Sequence, residues 1–145
     1  MPAAAGQAIE EDLLFSTAHA FSGFSVDDVD AARTFYRDTL GLRVQDNPMG
    51  FLTLELEGGG RVLVYGKEEH TPATFTILNF PVSDLEAAVD ELNSRGVQTK
   101  IYDDSEFPTD SKGIMRESEG PGIAWFRDPA GNVLAVLDEE PELSS

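Results

Sequence analysis

Apolar residues recur along this chain with two alternating periods, and each change of period marks an element. Residues 20–26 read as a strand of Phe, Val and small residues. Residues 28–40 change to a helical step, with Val29, Ala32, Tyr36 and Leu40 on one stripe. Asp27 or Asp28 can cap the start of that helix, and Gly41 can end it. Strands are predicted next at 42–44, 51–56 and 61–65, the last two joined by a turn at Gly58-Gly59-Gly60. A second series follows. Residues 74–80 read as a strand, and Ser83-Asp84-Leu85-Glu86 as a capping box. Leu85, Ala88, Val89 and Leu92 form the next apolar stripe, which Gly96 ends. Residues 97–102 read as a strand and 103–120 as a polar loop with a short strand around 114–117. Strands at 123–127 and 132–137 flank the turn Asp128-Pro129-Ala130-Gly131, where Pro sets an early dihedral and Gly permits a positive one.

The two series are a repeat. Residues 24–32 and 80–88 match in identity or type at every position except Ser25 against Pro81. Later, residues 60–64 resemble 131–135, with Gly60 set against Gly131. The pattern is βαβββ twice, which predicts an α+β domain. Each sheet carries a helix on one face and leaves the other free to line a cleft. The modules span about residues 17–67 and 73–138, within one domain at 17–138. Residues 1–16 and 139–145 read as tails, the second acidic.

Two further stretches make the repeat specific. Val26-Asp27-Asp28 is followed by Phe35-Tyr36-Arg37-Asp38-Thr39-Leu40-Gly41-Leu42, and the second half carries Phe126-Arg127-Asp128-Pro129-Ala130-Gly131-Asn132. On the doubled βαβββ pattern these resemble the vicinal oxygen chelate superfamily, the glyoxalase/bleomycin resistance/dioxygenase domains. The resemblance implies paired modules forming a half-barrel around a ligand cleft, and a homodimer. Metal-using members hold a cation with four inward side chains, usually His and Glu, and use it as a Lewis acid. Other members bind drugs and catalyse nothing.

Carried onto this chain, the resemblance sets the four ligand positions at Phe21, Val64, Ile77 and Ala135. Hydrocarbon side chains cannot coordinate a divalent cation. The chain has no cysteine and two histidines. His19 lies two residues before Phe21, at the expected exposed start of the strand, and His70 falls in a polar loop expected to be exposed. The expectation is no metal and no cofactor.

Strand alternation places further residues toward the cleft. From the first half come Gly23, Ser25, Val62, Phe51, Thr53 and Glu55; from the second come Phe75, Asn79, Val133, Leu137, Ile123, Trp125 and Arg127. The ligand-binding set expected is Phe21, Glu55, Val64, Phe75, Ile77, Asn79, Trp125 and Ala135. Glu55 is the candidate acid or base, since desolvation in an apolar cleft raises a carboxyl pKa. Residues 110–116 form a candidate lid, with Lys112 or Arg116 reaching an anionic group.

Charge narrows the partners. The 145 residues carry 27 Asp and Glu against 10 Lys and Arg, a net charge of −17. A nucleic-acid binder or a protein drawn to an anionic membrane surface needs a basic face, which this balance does not supply. No apolar run reaches the ~18–20 residues of a membrane span, and the N-terminus lacks the basic start of a signal peptide. A cytoplasmic protein is the expectation. Asp103, Asp104 and Glu106 are the acids expected near the cleft mouth. The function expected is metal-free binding of a small, mainly apolar or aromatic molecule. The alternative is a lyase, isomerase or dioxygenase with a non-standard metal set or Glu55 as acid/base, and a third reading is a cleft filled by its own side chains.

Overall fold

The computed structural model describes residues 14–103, 105–116 and 121–139. Most of both predicted tails, Asp104, and residues 117–120 of the long loop lie outside the described residues. The protein is an α+β fold built as βαβββ twice. The first module runs β1 (Ser22–Val26), α1 (Val29–Thr34), β2 (Arg43–Asp46), β3 (Leu52–Glu55) and β4 (Arg61–Gly66). The second runs β5 (Thr76–Val82), α2 (Leu85–Ser94), β6 (Ile114–Met115), β7 (Ile123–Arg127) and β8 (Val133–Asp138). Each module makes one four-stranded sheet, ordered β1-β4-β3-β2 and β5-β8-β7-β6. The first strand pairs parallel with the last, and the other pairs are antiparallel.

The helix starts follow the repeat. Asp28 accepts the Ala31 N–H at 3.1 Å, and Asp84 accepts the Ala87 N–H at the same distance. The second cap is therefore Asp84, one residue after the predicted Ser83. A side-chain acceptor at this position satisfies a backbone donor that the helix itself cannot.

The first helix differs from its simple periodic reading. The α-turns stop at Thr34, and Phe35–Thr39 form a π-helical turn with Leu40 N–H donating to Phe35 C=O at 2.9 Å. The wider turn lets two consecutive aromatics, Phe35 and Tyr36, both reach the core. Their rings meet edge to face at 5.1 Å, and Phe35 continues to Phe126 of the second module at 6.5 Å.

One core passes through both modules and takes the helix-bearing faces of both sheets. The Tyr36 hydroxyl donates to the buried Asp128 carboxylate at 2.7 Å. Asn132 Nδ2 donates to Ser25 C=O at 2.9 Å, again across the module boundary. His70 is half-buried rather than exposed. Its Nδ1 lies 2.7 Å from Ser25 Oγ and its Nε2 lies 3.1 Å from Ala130 C=O. Since a carbonyl only accepts, Nε2 carries a proton.

Residues 97–102 are not a strand. The place beside β7 is taken by Ile114–Met115, and Thr99 Oγ1 donates to Lys112 C=O at 2.6 Å, holding the segment against the following turn. Gly113 makes this approach possible. Its φ is +87°, and a Cβ there would fall 2.0 Å from Thr99 C=O. No helix among the described residues is long and apolar enough to cross a membrane.

Candidate functional site

The sheet face away from the core is where a ligand can meet this protein, and register decides which residues occupy it. In the first sheet, Phe24 pairs with Val64, and Leu52 also pairs with Val64. These side chains are buried in the shared core. Val64 and Val62 therefore face the helix, not the open side. The open face carries Leu63 instead, between Gly23 and Thr53. The reason lies in the hairpins. Leu56 N–H donates to Gly60 C=O and Gly59 N–H to Leu56 C=O; Asp128 N–H donates to Asn132 C=O and Gly131 N–H to Asp128 C=O. The counterpart of Gly131 is thus Gly59, not Gly60, and both have positive φ. A one-residue offset exchanges the two faces of a strand.

A bulge moves a second residue. Thr76 pairs with Val133 while Leu78 pairs with the next residue, Leu134, so Ile77 is the extra residue on β5. Ile77 packs against the shared core rather than with the open-face residues. Past the bulge, Asn79 comes opposite Ala135 on the open side.

The predicted ligand-binding residues divide accordingly. Phe75 and Trp125 meet in one pocket of about 720 Å³ on the open face of the second sheet. Ala135 is fully buried beside Trp125 and Val133. Glu55 and Asn79 meet in a different pocket of about 750 Å³, together with Arg43. Phe21 stands exposed just before β1, in neither pocket.

Glu55 is not in apolar surroundings. It lies in register with Arg43 on one side and Arg61 on the other, so the open face of the first sheet carries a row of alternating charge. No three His, Cys, Asp or Glu side chains among the described residues could hold a metal ion. On β4 and β8 the open-face positions are Leu63 and Ala135, both hydrocarbon, whereas on β5 the residue opposite Val133 is Thr76. His19 is exposed and His70 is bonded into the module boundary.

The pocket at Trp125 contains two aromatics that sequence reasoning did not select. The segment after α2 returns across the open face and lays Ile101 and Tyr102 on Trp125, Val133 and Ala135. Tyr102 meets Trp125 edge to face at 5.3 Å, Phe107 lies 5.0 Å from Trp125, and Tyr102 and Phe107 are 4.8 Å apart. Trp125 is only 9% exposed, whereas Phe107 is 38% and Phe75 70% exposed. Arg127 and Glu106 complete the polar part of the lining. The sequence signal was there: Phe107 is a large aromatic in an otherwise polar stretch.

The segment expected to act as a lid is tied down elsewhere. Lys112 pairs with Asp90 of α2 at 2.9 Å, and Arg116 with Asp138 at 3.4 Å. It is Tyr102, Glu106 and Phe107 that border the pocket. Their turn is closed by the Glu106 and Phe107 N–H groups, both donating to Asp103 C=O at 2.9 Å.

Known structures share this fold. A protein of the glyoxalase/bleomycin resistance/dioxygenase superfamily from Sphaerobacter thermophilus is similar at 24% identity and a TM-score of 0.65, over 88% of this chain and 100% of that one. TnmS3, an antibiotic-binding protein from a Streptomyces species, is similar at 22% identity and a TM-score of 0.63, over 88% and 99%. The oxidase ChaP-H2 is similar at 22% identity and a TM-score of 0.62, over 86% and 96%. At these identities the likeness is one of fold. No functionally curated protein matches the sequence. The sequence profile of one family matches residues 17–136, from before β1 into β8 and so across both βαβββ modules, and by it the chain belongs to the glyoxalase/bleomycin resistance protein/dioxygenase superfamily.

Proposed function

We propose that this protein binds a planar aromatic small molecule in the pocket at Trp125, without a resident metal. The observation that carries the reading is the ring cluster of Tyr102, Phe107 and Trp125 bordering a pocket of about 720 Å³, with Phe75 exposed across from it. Offset and edge-on ring contacts contribute about 0.5–1.5 kcal/mol each beyond area burial, and a flat ligand would make several. The antibiotic-binding neighbour supports binding as a function for this fold. The fully self-filled cleft is disfavoured by the exposed ring of Phe75 and the open volume beside it.

Trp125 is the only tryptophan of the chain, so selectively excited tryptophan emission reports on this pocket alone. Titration with flat polycyclic aromatics is expected to change Trp125 emission saturably, and Phe107→Ala to weaken binding about tenfold. Emission indifferent to every compound of such a panel overturns the proposal.

A second reading rests on Glu55 and Asn79, which share a pocket with Arg43. Superfamily chemistry could be run there with Glu55 as acid or base, and the oxidase neighbour supports it. Turnover that disappears in Glu55→Gln, with folding intact, would favour this reading over pure binding. A homodimer is proposed in either case. The edges of both sheets and the exposed Phe21 and Phe75 offer surface to a second copy.

A further inference from the structure

Charge separates the aromatic pocket from the rest of the molecule. The protein as a whole is strongly acidic, which by itself favours cationic ligands. Most of its cations are already engaged. Arg33 pairs with Asp30 and Asp46, Arg37 with Asp38, Arg95 with Glu91, Lys112 with Asp90 and Arg116 with Asp138. Lys100 donates to Thr109 C=O at 3.1 Å. Arg43, Arg61, Lys67 and Arg127 have neither a side-chain hydrogen bond nor an ion pair among the described residues, and of these four Arg127, which is exposed, is the one that lines the aromatic pocket.

Its position is set by the sheet. Ile123, Trp125 and Arg127 alternate along the open face of β7, opposite Leu137, Ala135 and Val133. Arg127 therefore lines the aromatic pocket one pleat beyond Trp125, and it also lines a neighbouring pocket with Ile101 and Asp128. The acidic side chain lining the same pocket is Glu106. It belongs to the covering segment, where its carboxylate accepts the Asp103 N–H at 3.4 Å.

From this we infer that the ligand of the Trp125 pocket is an aromatic acid: a flat ring system held among Trp125, Phe107 and Phe75, with a carboxylate or comparable anion on Arg127. The inference rests on the aromatic-binding reading above and adds the sign of charge. A guanidinium presents paired donors that match a carboxylate in geometry and charge. Glu106 sets the direction, repelling the acid end from the covering segment and favouring it at β7.

The experiment compares three probes of one ring system by calorimetry: 2-naphthoate, 2-naphthylmethanol and 2-naphthylmethylammonium. In the unmodified protein 2-naphthoate is expected to bind about tenfold more tightly than the alcohol, the ammonium most weakly. Arg127→Gln should abolish the preference for the acid over the alcohol, while Arg127→Lys should keep part of the preference. Equal affinity for acid and alcohol, a preference for the ammonium, or an acid preference that survives in Arg127→Gln overturns the assignment of Arg127 while leaving aromatic binding intact. No binding of any probe overturns both. The three-probe comparison needs no variant, so a variant that fails to fold does not shield the inference.

Discussion

Tyr36 and Asp128 show how much one pair of side chains does here. Asp128 is buried, and it accepts from the Tyr36 hydroxyl, Asn132 Nδ2, and the backbone N–H groups of Ala130 and Asn132. A buried carboxylate is tolerable when so fully hydrogen-bonded. Tyr36→Phe removes one charge-assisted donor and is expected to cost about 2 kcal/mol in urea unfolding. Burial, reinforced by the Asp128 charge and hydrogen bond, pushes the Tyr36 pKa far above its ordinary value. The folded state therefore keeps a proton that the unfolded chain gives up above about pH 10. The resulting stabilisation is complete below that pH and is lost progressively as pH rises beyond it toward the folded-state value. Melting temperatures measured from pH 8 to 11 should fall more steeply for the parent than for Tyr36→Phe; parallel curves would contradict this account.

At the scale of elements, short local devices determine where the long segments can go. Asp28→Ala and Asp84→Ala each remove a helix cap and are expected to destabilise by about 1 kcal/mol, additively because the two helices lie in different modules. Gly113 matters more. Its positive φ and its contact with the Thr99 backbone hold residues 97–101 beside the following turn, and Tyr102 and Phe107 reach Trp125 from there. Gly113→Ala is expected to cost about 3 kcal/mol or more in thermal or chemical unfolding, because backbone rather than a flexible side chain must yield. A destabilisation below about 1 kcal/mol would show that the covering segment is held otherwise. The π-helical turn is another such device: it converts a helix with one apolar stripe into one that presents Phe35 and Tyr36 together to the second module.

For the whole molecule, the issue is which surfaces stay open. The helix-bearing faces of both sheets are consumed by the common core, so the two open faces are left for ligand and partner. A homodimer would cover apolar surface at Phe21 and Phe75. Light scattering on the purified chain is expected to give about twice its 15.7 kDa, and Phe75→Asp to shift the population toward monomer. A monomer at micromolar concentration in the parent would rule the dimer out. The charge of −17 is spread over the whole chain, whereas the proposed selectivity of the pocket rests on Arg127.

The sequence by itself determined the doubled βαβββ order, the helix-starting aspartates and the Asp128-Pro129-Ala130-Gly131 turn. These follow from local periodicity and turn chemistry, which act over a few residues. Tertiary structure decided what depends on register between distant strands. An extra residue at Ile77 and an offset of one between Gly59 and Gly60 reversed the faces of Ile77 and Val64, because side chains alternate and a single step changes their side. It also decided that His70 bonds into the module boundary and that Tyr102 and Phe107 cover Trp125. No short-range pattern encodes those contacts, since each joins segments that only the folded core brings together.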